Sequence, residues 1–369
     1  MSARGRSASQ TRHPAGTSGP LRSARMFAVA MPGLGQLLVA ELQAIEGVQA
    51  QASGFDGRSD VVSFTAEPTA LNQLGQLTLA EDLFAEAGRT LRSEGDRANW
   101  IAGRLLKPER TRRALDVRGQ LTRPTRREAS YRVIVRVLQE HSFQRTELRR
   151  QLSAALVRQQ PEWHFDDPAE LELWVIEYQP GKILAGFRAS GARMRQHDGR
   201  ARERHGALRP TVAAAMVRLA GQPGGALLDP CCGSGTILAE ALSVGWSRAY
   251  GTDIDPRAVD IARHNVPAAQ LAAGDARQLS YEAASMDACV SNLPFGQQFE
   301  MQEDTGTWLR RVLTELARVT RAEGRVVVLA PAIDRMAVPG QLRLVSRTQI
   351  RLLGTKTSIW CYGRSNRDL

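Results

Sequence analysis

The chain has 369 residues, of which 43% are hydrophobic, so it is long enough for two or three domains and too apolar to be disordered throughout. Its four cysteines form no CxxC pair and have no histidine cluster nearby, which argues against a structural zinc site and a disulfide framework and suits the reducing cytoplasm. Lys and Arg number 49 against 38 Asp and Glu, and the formal charge of +11 indicates an acidic partner such as nucleic acid, although an arginine-rich composition alone gives the same balance.

Residues 1–25 carry five arginines, no acid and no apolar core segment, so we expect a disordered basic tail rather than a secretory signal. The next twenty residues are the most apolar of the chain, but a Pro-Gly pair and a further glycine interrupt them. We therefore expect a strand at 27–31 and a helix at 34–45 instead of a membrane span, which needs ~20 uninterrupted apolar residues.

The following stretch alternates short strands with helices, which predicts an α+β region of two small units, 26–95 and 96–190. In the first unit we expect a strand at 61–64 and a helical stretch at 81–91. In the second, strict period-2 alternation at 131–137 predicts a strand with one apolar face and one arginine face. The other predicted elements are a helix at 146–159 and strands at 170–176 and 182–188.

A basic linker is predicted at 191–208, within a stretch that holds seven arginines against two acids. Such a run is either a solvated connection or a surface that lies against a polyanion. The second interpretation makes it a candidate path for RNA. Its candidate RNA-binding residues are Arg188, Arg193, Arg195, Arg200, Arg202 and Arg204.

From residue 209 to 369, apolar strands alternate with amphipathic helices, which predicts an α/β, Rossmann-like sheet that is doubly wound and mostly parallel. In such a sheet, ligands bind beyond the carboxyl ends of the strands. The predicted strands are 226–229, 249–253, 271–275, 288–292 and 325–329, and the predicted helices are 236–243, 257–265 and 308–320.

The first of these strands ends at Asp229 and leads into a glycine-rich turn. The glycines allow a ligand to approach the backbone, and the next helix begins with exposed amides. The turn has neither the ending of a P-loop nor the GxGxxG spacing, and Asp229 would repel a phosphate, so the turn suits a cationic or hydroxyl-bearing ligand. The candidate ligand-contacting residues here are Asp229, Cys231, Gly233, Ser234, Gly235 and Thr236.

Carboxylates also end the next two strands. Asp253, followed by Ile254, stands 18 residues after Gly235, where doubly wound nucleotide sites hold ribose hydroxyls. The side chain of Asp275 and the backbone amide of Ala276 can read an adenine edge. Each acid alone is more often a cap of a helix or turn, but three of them at one sheet edge favour an adenosyl ligand.

The fourth strand ends in the sequence Asn292, Leu293, Pro294 and Phe295. The side-chain carbonyl of Asn292 and the backbone carbonyl of Leu293 can accept both hydrogens of a planar exocyclic amine, while Phe295 stacks on its ring. Accepting both hydrogens turns the nitrogen lone pair out of conjugation and toward an electrophile. The alternative is a helix-capping Asn in a tight turn.

These clusters resemble the motifs of class I S-adenosylmethionine-dependent methyltransferases, in the branch that methylates amines. The sequence DPCCGSGTILAEA at 229–241 looks like the first motif and NLPFG at 292–296 like the fourth, with Leu293 where that branch usually has its first proline. In addition, 131–190 resembles a THUMP domain and 26–95 a ferredoxin-like unit. The chain is thus similar to THUMP-containing tRNA guanine-N2 methyltransferases.

The resemblance implies S-adenosylmethionine as cofactor, no metal, and tRNA bound by its acceptor end as partner, with N2-methylguanosine as product. It further implies that Asp229 accepts a bond from the methionyl ammonium, that Asp253 holds the ribose, and that Asp275 with Ala276 holds the adenine. Thr211, at the entry to the catalytic half, would lie beside the methionyl end. No apolar heptad or repeat is visible, so we expect a monomer.

Three other functions remain open on the sequence. One keeps the chemistry but takes ribosomal RNA guanine or DNA adenine as substrate, and the THUMP-like half argues against DNA. Another is an RNA-binding protein whose methyltransferase domain is inactive, against which the intact Asp229, Asp253, Asp275 and Asn292 argue. The third is a dinucleotide-dependent oxidoreductase, which the missing GxGxxG disfavours.

Overall fold

The computed structural model describes residues 23–138, 142–191, 193–197, 207–294, 304–352 and 354–365. These residues form an N-terminal sheet and a C-terminal sheet. The strands of the N-terminal sheet are β1 (Ala24–Ala30), β2 (Val48–Phe55), β3 (Asp60–Ala66), β4 (Ala80–Leu91), β5 (Ser130–Arg136), β6 (His164–Phe165), β7 (Leu171–Gln179) and β8 (Lys182–Arg188). Its helices are α1 (Gly35–Gln43), α2 (Leu71–Leu74), α3 (Ala98–Leu105), α4 (Pro108–Leu121) and α5 (Arg145–Gln159).

The N-terminal sheet has the order β2-β3-β1-β4-β8-β7-β5-β6. Its middle strand β4 pairs antiparallel with β1 on one side and with β8 on the other. The sheet therefore continues across the boundary expected between residues 95 and 96, and the two expected units share it.

The helical stretch expected at 81–91 is wrong, because these residues form strand β4. Glu, Ala and Leu favour a helix in isolation, but here nearly every position of the strand is buried on one face or the other. Gly88 permits this packing, since a Cβ there would lie 2.2 Å from the carbonyl oxygen of Leu105. Tertiary burial between two neighbouring strands has overridden local propensity.

Strand β5 and helix α5 agree with their predicted positions. Tyr131 and Val133 of β5 are buried, and the arginines of its other face form ion pairs, Arg132 with Glu172 and Arg136 with Asp56. The buried side of α5 consists of the residues that its helical spacing indicates, which are Leu148, Leu152, Ala155 and Leu156. Strand β2 and helices α3 and α4 were not predicted.

Between the sheets lies the short helix α6 (Arg193–Gln196), and α7 (Pro210–Leu219) opens the C-terminal half. The strands of the C-terminal sheet are β9 (Ala226–Asp229), β10 (Arg248–Asp253), β11 (Gln270–Ala273), β12 (Met286–Asn292), β13 (Thr320–Ala330), β14 (Leu342–Leu352) and β15 (Thr355–Arg364). Its further helices are α8 (Thr236–Ser243), α9 (Pro256–Asn265) and α10 (Thr305–Val319).

The C-terminal sheet has the order β11-β10-β9-β12-β13-β15-β14. Strands β9 to β13 are parallel, and β15 is inserted antiparallel between β13 and β14. The doubly wound prediction is confirmed for strands β9 to β13 and the helices between them, although β11 ends two residues before Asp275. The hairpin of β14 and β15 was not predicted.

Two contacts join the N-terminal loop after β1 to the edge strand β14. The backbone amide of Arg351 donates to the carbonyl oxygen of Pro32 at 3.2 Å. Gly33, with φ of +98°, lies so close to β14 that a Cβ there would be 1.9 Å from the carbonyl oxygen of Gln349. The ion pair between Arg209 and Glu81, with an N–O distance of 2.9 Å, also connects the two halves.

No helix in the described part of the chain is long and apolar enough to cross a membrane.

Candidate cofactor and amine site

The glycine turn follows β9 at the carboxyl edge of the C-terminal sheet. Gly233 and Gly235 both have left-handed backbone conformations, with φ of +52° and +85°, and Gly235 is the N-cap of α8. A Cβ added to Gly233 would meet no atom within 4 Å, so open space faces the turn at that point. The amide of Gly233 donates to Asp253 Oδ2 at 2.8 Å, which ties the turn to the end of β10.

Asp229 lies at the base of this turn and is only 1% exposed. Its Oδ1 accepts hydrogen bonds from Ser291 Oγ at 2.7 Å and from the amide of Cys231 at 3.1 Å. Burial raises the pKa of Asp229 to about 7, while the bonds from Ser291 and Cys231 oppose that rise. Within the described residues, Oδ2 receives no hydrogen bond.

The carboxylates at the end of β10 and after β11 lie at the same edge of the sheet. Asp253 accepts from the amides of Gly233 and Asp255, and the exposed apolar side chain of Ile254 follows it. Asp275 is bound by the guanidinium of Arg277, which holds the pKa of that carboxyl below its ordinary value.

The turn after β12 carries the candidate amine acceptors. Asn292 is half-buried, and its side-chain amide makes no hydrogen bond with any described residue. Leu293 is 2% exposed and belongs to the apolar cluster that includes Trp308 of α10. The side chain of Leu293 is thus anchored by burial where the family has a proline ring. Phe295 lies outside the described residues.

The site fits an adenosyl cofactor with a methionyl tail. Thr211 and Thr236 were both expected to contact the cofactor. Their hydroxyls are buried and have no hydrogen-bond partner among the described residues. Such orphaned groups, the open space at Gly233 and the unused oxygen of Asp229 provide polar partners for a ligand with hydroxyl and ammonium groups. In the described part of the chain, no group of three or more His, Cys, Asp or Glu side chains is arranged to hold a metal ion.

The basic stretch around α6 was expected to be a solvated linker or an RNA-facing surface, but two of its arginines are held by acids of the N-terminal sheet. Arg188 forms ion pairs with Asp82 at 2.7 Å and with Glu172 at 3.3 Å. Arg195 also binds Asp82, through two of its nitrogens. Arg193 lies on the same helix and is exposed. The remaining predicted RNA-binding residues, Arg200, Arg202 and Arg204, lie outside the described residues.

A second basic region was missed by the sequence reasoning, in and after α4. It contains seven arginines, as many as the stretch at 188–209, and arginine density alone could have revealed it. Those that are exposed and form no ion pair with a described residue are Arg110, Arg112, Arg113, Arg123 and Arg126.

A cavity of about 430 Å³ opens at the end of α4. It is lined by Arg118, Thr122, Arg123, Pro124, Arg126 and Glu170. Arg118 is buried, with 7% of its surface exposed. Its guanidinium donates to the backbone carbonyls of Arg123, Glu170 and Arg188. It forms no ion pair with a carboxylate of the described residues. Desolvation lowers the pKa of Arg118, and the charge of Glu170, which lines the same cavity, opposes that shift.

A doubly wound sheet, a glycine turn with a buried carboxylate, two more carboxylates along the edge and an Asn-Leu-Pro turn after β12 define a class I methyltransferase domain. Residues 197–338 match the model of the UPF0020 family, described as an RMKL-like methyltransferase domain.

Similarity to individual proteins covers either a third of the chain or most of it. The U6 snRNA (guanine-N(2))-methyltransferase THUMPD2 of Bos taurus is 37% identical over 131 residues, which cover 33% of this chain and 25% of that protein. The tRNA (guanine(6)-N2)-methyltransferase of Thermus thermophilus is 28% identical over 326 residues, which cover 84% of this chain and 90% of that protein. The crystal structure of TrmN from Thermus thermophilus has a TM-score of 0.72 and 26% identity, covering 92% of this chain and 99% of that one.

The chain therefore spans about a quarter of the bovine relative and nearly the full length of the bacterial enzyme and structure.

Proposed function

We propose that the protein transfers a methyl group from S-adenosylmethionine to the 2-amino group of a guanosine in tRNA, giving N2-methylguanosine. The observation that carries the proposal is the unbonded Asn292 amide at the carboxyl end of β12, one residue from Ser291, which bonds Asp229 of the glycine turn. An amine acceptor and a cofactor turn thus stand side by side. The relatives named above act on guanine N2 in tRNA or U6 snRNA, which supports the same atom as target.

The residues that would hold the cofactor lie along the edge of the sheet. Asp229 would take the methionyl ammonium, Asp253 the ribose hydroxyls, and Ile254 would lie against the adenine ring. Thr211 and Thr236 would pair their unused hydroxyls with polar groups of the cofactor. When bound, S-adenosylmethionine supplies a methyl group already activated by its sulfonium.

Asn292 positions the guanine 2-amino group, which accepts the methyl group. Its side-chain carbonyl and the backbone carbonyl of Leu293 accept the two hydrogens of the guanine amine and hold the nitrogen lone pair toward the methyl group. The same carbonyl dipoles stabilise the positive charge that develops on the amine. The proton becomes acidic only when the nitrogen carries that charge, so water can accept it.

The RNA contacts would come from the N-terminal half. We propose that 96–190 acts as a THUMP-like RNA-binding region and that 26–95 is the smaller ferredoxin-like unit beside it. Arg112 and Arg113 of α4 are exposed and form no ion pair with a described residue, which supports a phosphate-contacting face there, and Arg118 lines the neighbouring cavity. Exposed Arg193 would extend the path toward the catalytic half.

We also propose that the protein works as a monomer in the cytoplasm, where tRNA is processed. The four cysteines are all free thiols, and three of them are buried, which supports a reducing compartment.

A paired guanine must leave its stack to reach Asn292, at a cost of a few kcal/mol.

The test is methylation of unmodified RNA by the purified protein with S-adenosylmethionine, followed by nucleoside mass spectrometry. We expect N2-methylguanosine in tRNA and none in ribosomal RNA or DNA supplied at equal mass. Product in ribosomal RNA alone would mean that ribosomal RNA is the substrate. N6-methyldeoxyadenosine in DNA would mean that the enzyme methylates adenine. No product in any nucleic acid would favour an inactive methyltransferase domain.

A further inference from the structure

The hydrogen bond between Ser291 and Asp229 connects strand β12, which leads into the proposed amine site, with strand β9, which leads into the glycine turn. Ser291 is the penultimate residue of β12 and is fully buried, and Asp229 is the last residue of β9. The two strands are direct neighbours in the parallel sheet, with Cys289 opposite Leu228. The bond between Ser291 Oγ and Asp229 Oδ1 therefore joins the base of the glycine turn to the residue that immediately precedes Asn292.

The geometry at Asp229 divides its two oxygens. Both hydrogen bonds from described residues, that of Ser291 at 2.7 Å and that of the Cys231 amide at 3.1 Å, reach Oδ1. Fixing Oδ1 from two directions fixes the plane of the carboxylate, and Oδ2 is left for another donor. The turn can then offer one oriented oxygen to a cationic ligand.

We propose that Ser291 is a positioning residue for the cofactor: its hydroxyl favours the ionised form of Asp229 and leaves Oδ2 free, so that the carboxylate receives the methionyl ammonium. This inference rests on the proposed function, because it takes the cofactor as the ligand of the turn. A hydroxyl that donates to a carboxylate stabilises the charged form, whereas an apolar side chain in its place leaves burial unopposed.

The other groups around Asp229 cannot perform this task. The titratable groups that face it are the thiols of Cys231, Cys232 and Cys289 and the carboxylate of Asp253. Burial raises the pKa of all three thiols, so they stay neutral near pH 7, and the charge on Asp253 raises the pKa of Asp229 further. Ser291 is the side chain that opposes these effects, together with the backbone amide of Cys231.

The experiment is calorimetric binding of S-adenosylhomocysteine to the full chain and to Ser291→Ala between pH 6 and 9. We expect Ser291→Ala to bind about five- to tenfold more weakly near pH 6.5, and the ratio of the two dissociation constants to approach one at pH 9, where Asp229 is ionised in both proteins. The ratio is the readout, because titration of the ligand's own amine affects both proteins alike.

Three variants complete the design. Ser291→Thr keeps the hydroxyl and should bind as the unaltered protein does, while Ser291→Cys replaces Ser291→Ala if the alanine variant does not fold. Cys289→Ala is the matched control, since it removes one heavy atom from a buried side chain of the same strand that makes no hydrogen bond to Asp229. A Cys289→Ala ratio that is near one at every pH is expected.

Two outcomes would overturn the inference, and they differ in what else they remove. If the unaltered protein binds S-adenosylhomocysteine but the Ser291→Ala ratio is near one or constant with pH, Ser291 has no such role and the proposed function stands. If the unaltered protein does not bind S-adenosylhomocysteine at any pH, both the inference and the proposed cofactor are wrong.

Discussion

Arg195 of α6 binds the carboxylate of Asp82 near the start of β4, so a residue expected to face RNA is held by a buried acid. The Asp82 side chain is 2% exposed, whereas that of Arg195 is 45% exposed. Asp82 also accepts from Ser190 and pairs with Arg188. The interaction anchors the segment between the two sheets to the central strand of the first one.

We expect Arg195→Ala to act on stability rather than on RNA binding. Removing one partner of a buried acid leaves its charge less compensated, but Arg188 and Ser190 remain, so the loss should be about 1–2 kcal/mol. The Tm should fall by a few degrees, measured by differential scanning fluorimetry. An unchanged Tm together with a weaker affinity for tRNA would return Arg195 to the RNA-binding surface.

The exposed face of α4 gives the complementary prediction. Arg112→Glu with Arg113→Glu should weaken tRNA binding roughly tenfold at 0.1 M salt and lower the slope of log affinity against log salt, because each phosphate contact releases counterions. Filter binding over a salt series measures both quantities. The control, Arg257→Glu with Arg263→Glu on α9, makes the same change of charge at exposed positions. Equal losses in both variants would mean that only total charge matters.

Asn292 tests the chemical step. Asn292→Ala should lower kcat at least ~100-fold, since it removes an oriented acceptor for charge that develops in the transition state. The KM for tRNA should stay within about twofold, because the proposed RNA contacts lie in the N-terminal half. Asn292→Asp keeps a carbonyl acceptor of the same size and should retain more activity than the alanine variant. A near-normal kcat for Asn292→Ala would remove Asn292 from the reaction.

Leu293 tests how the turn after β12 is held. Leu293→Ala should lower the free energy of unfolding by about 2–4 kcal/mol, because the side chain is buried beside α10 and its removal leaves a cavity. Leu293→Met conserves volume and should cost less than about 1.5 kcal/mol. Denaturant unfolding measures both values. A small effect of the alanine change would mean that burial of this side chain does not stabilise the turn.

The pKa of Asp229 predicts a pH dependence of stability without ligand. Burial raises this pKa to about 7, above its ordinary value of 3.8, so the folded protein binds this proton more tightly than the unfolded chain does. Its contribution to stability is fully present below pH 3.8 and is lost as the pH rises through 7, which amounts to about 3 kcal/mol between pH 5 and 8.

The variant Asp229→Asn has no such titration, so its stability relative to the unaltered protein should increase from pH 5 to pH 8. Comparing the Tm of the two proteins at each pH removes the contributions of all other groups. The same variant should lose binding of S-adenosylhomocysteine. A difference in Tm that is constant with pH would show that Asp229 titrates in the ordinary acidic range.

Periodicity sufficed for strands β9 to β13 of the C-terminal half, but not for the hairpin of β14 and β15. The strands that end at Asp229 and Asn292 are apolar runs bounded by turn residues, so the local pattern and the final structure agree. The prediction of a helix at 81–91 was wrong because these residues favour a helix in isolation. They form strand β4 only by pairing with β1 and β8, which lie far away in sequence. Local propensity carries no information on such partners.

Side-chain roles were less predictable than strands. The sequence indicates that Asp229 and Asn292 meet at one edge, because parallel strands end together, but it does not indicate that Ser291 bonds Asp229 across 62 positions. Nor does a count of arginines separate Arg195, which is neutralised by Asp82, from Arg112, which faces solvent without a described partner. Pairing depends on the fold, whereas composition does not.

The contact of Gly33 with β14 has a consequence for how the chain can be divided. Strand β14 is the outer strand of its sheet, and its backbone near Gln349 and Arg351 is covered by the loop that holds Pro32 and Gly33. If the catalytic half is expressed alone, that edge is bared, and exposed strand edges recruit other chains. The N-terminal half thus covers an edge through which the C-terminal half would otherwise associate with other chains.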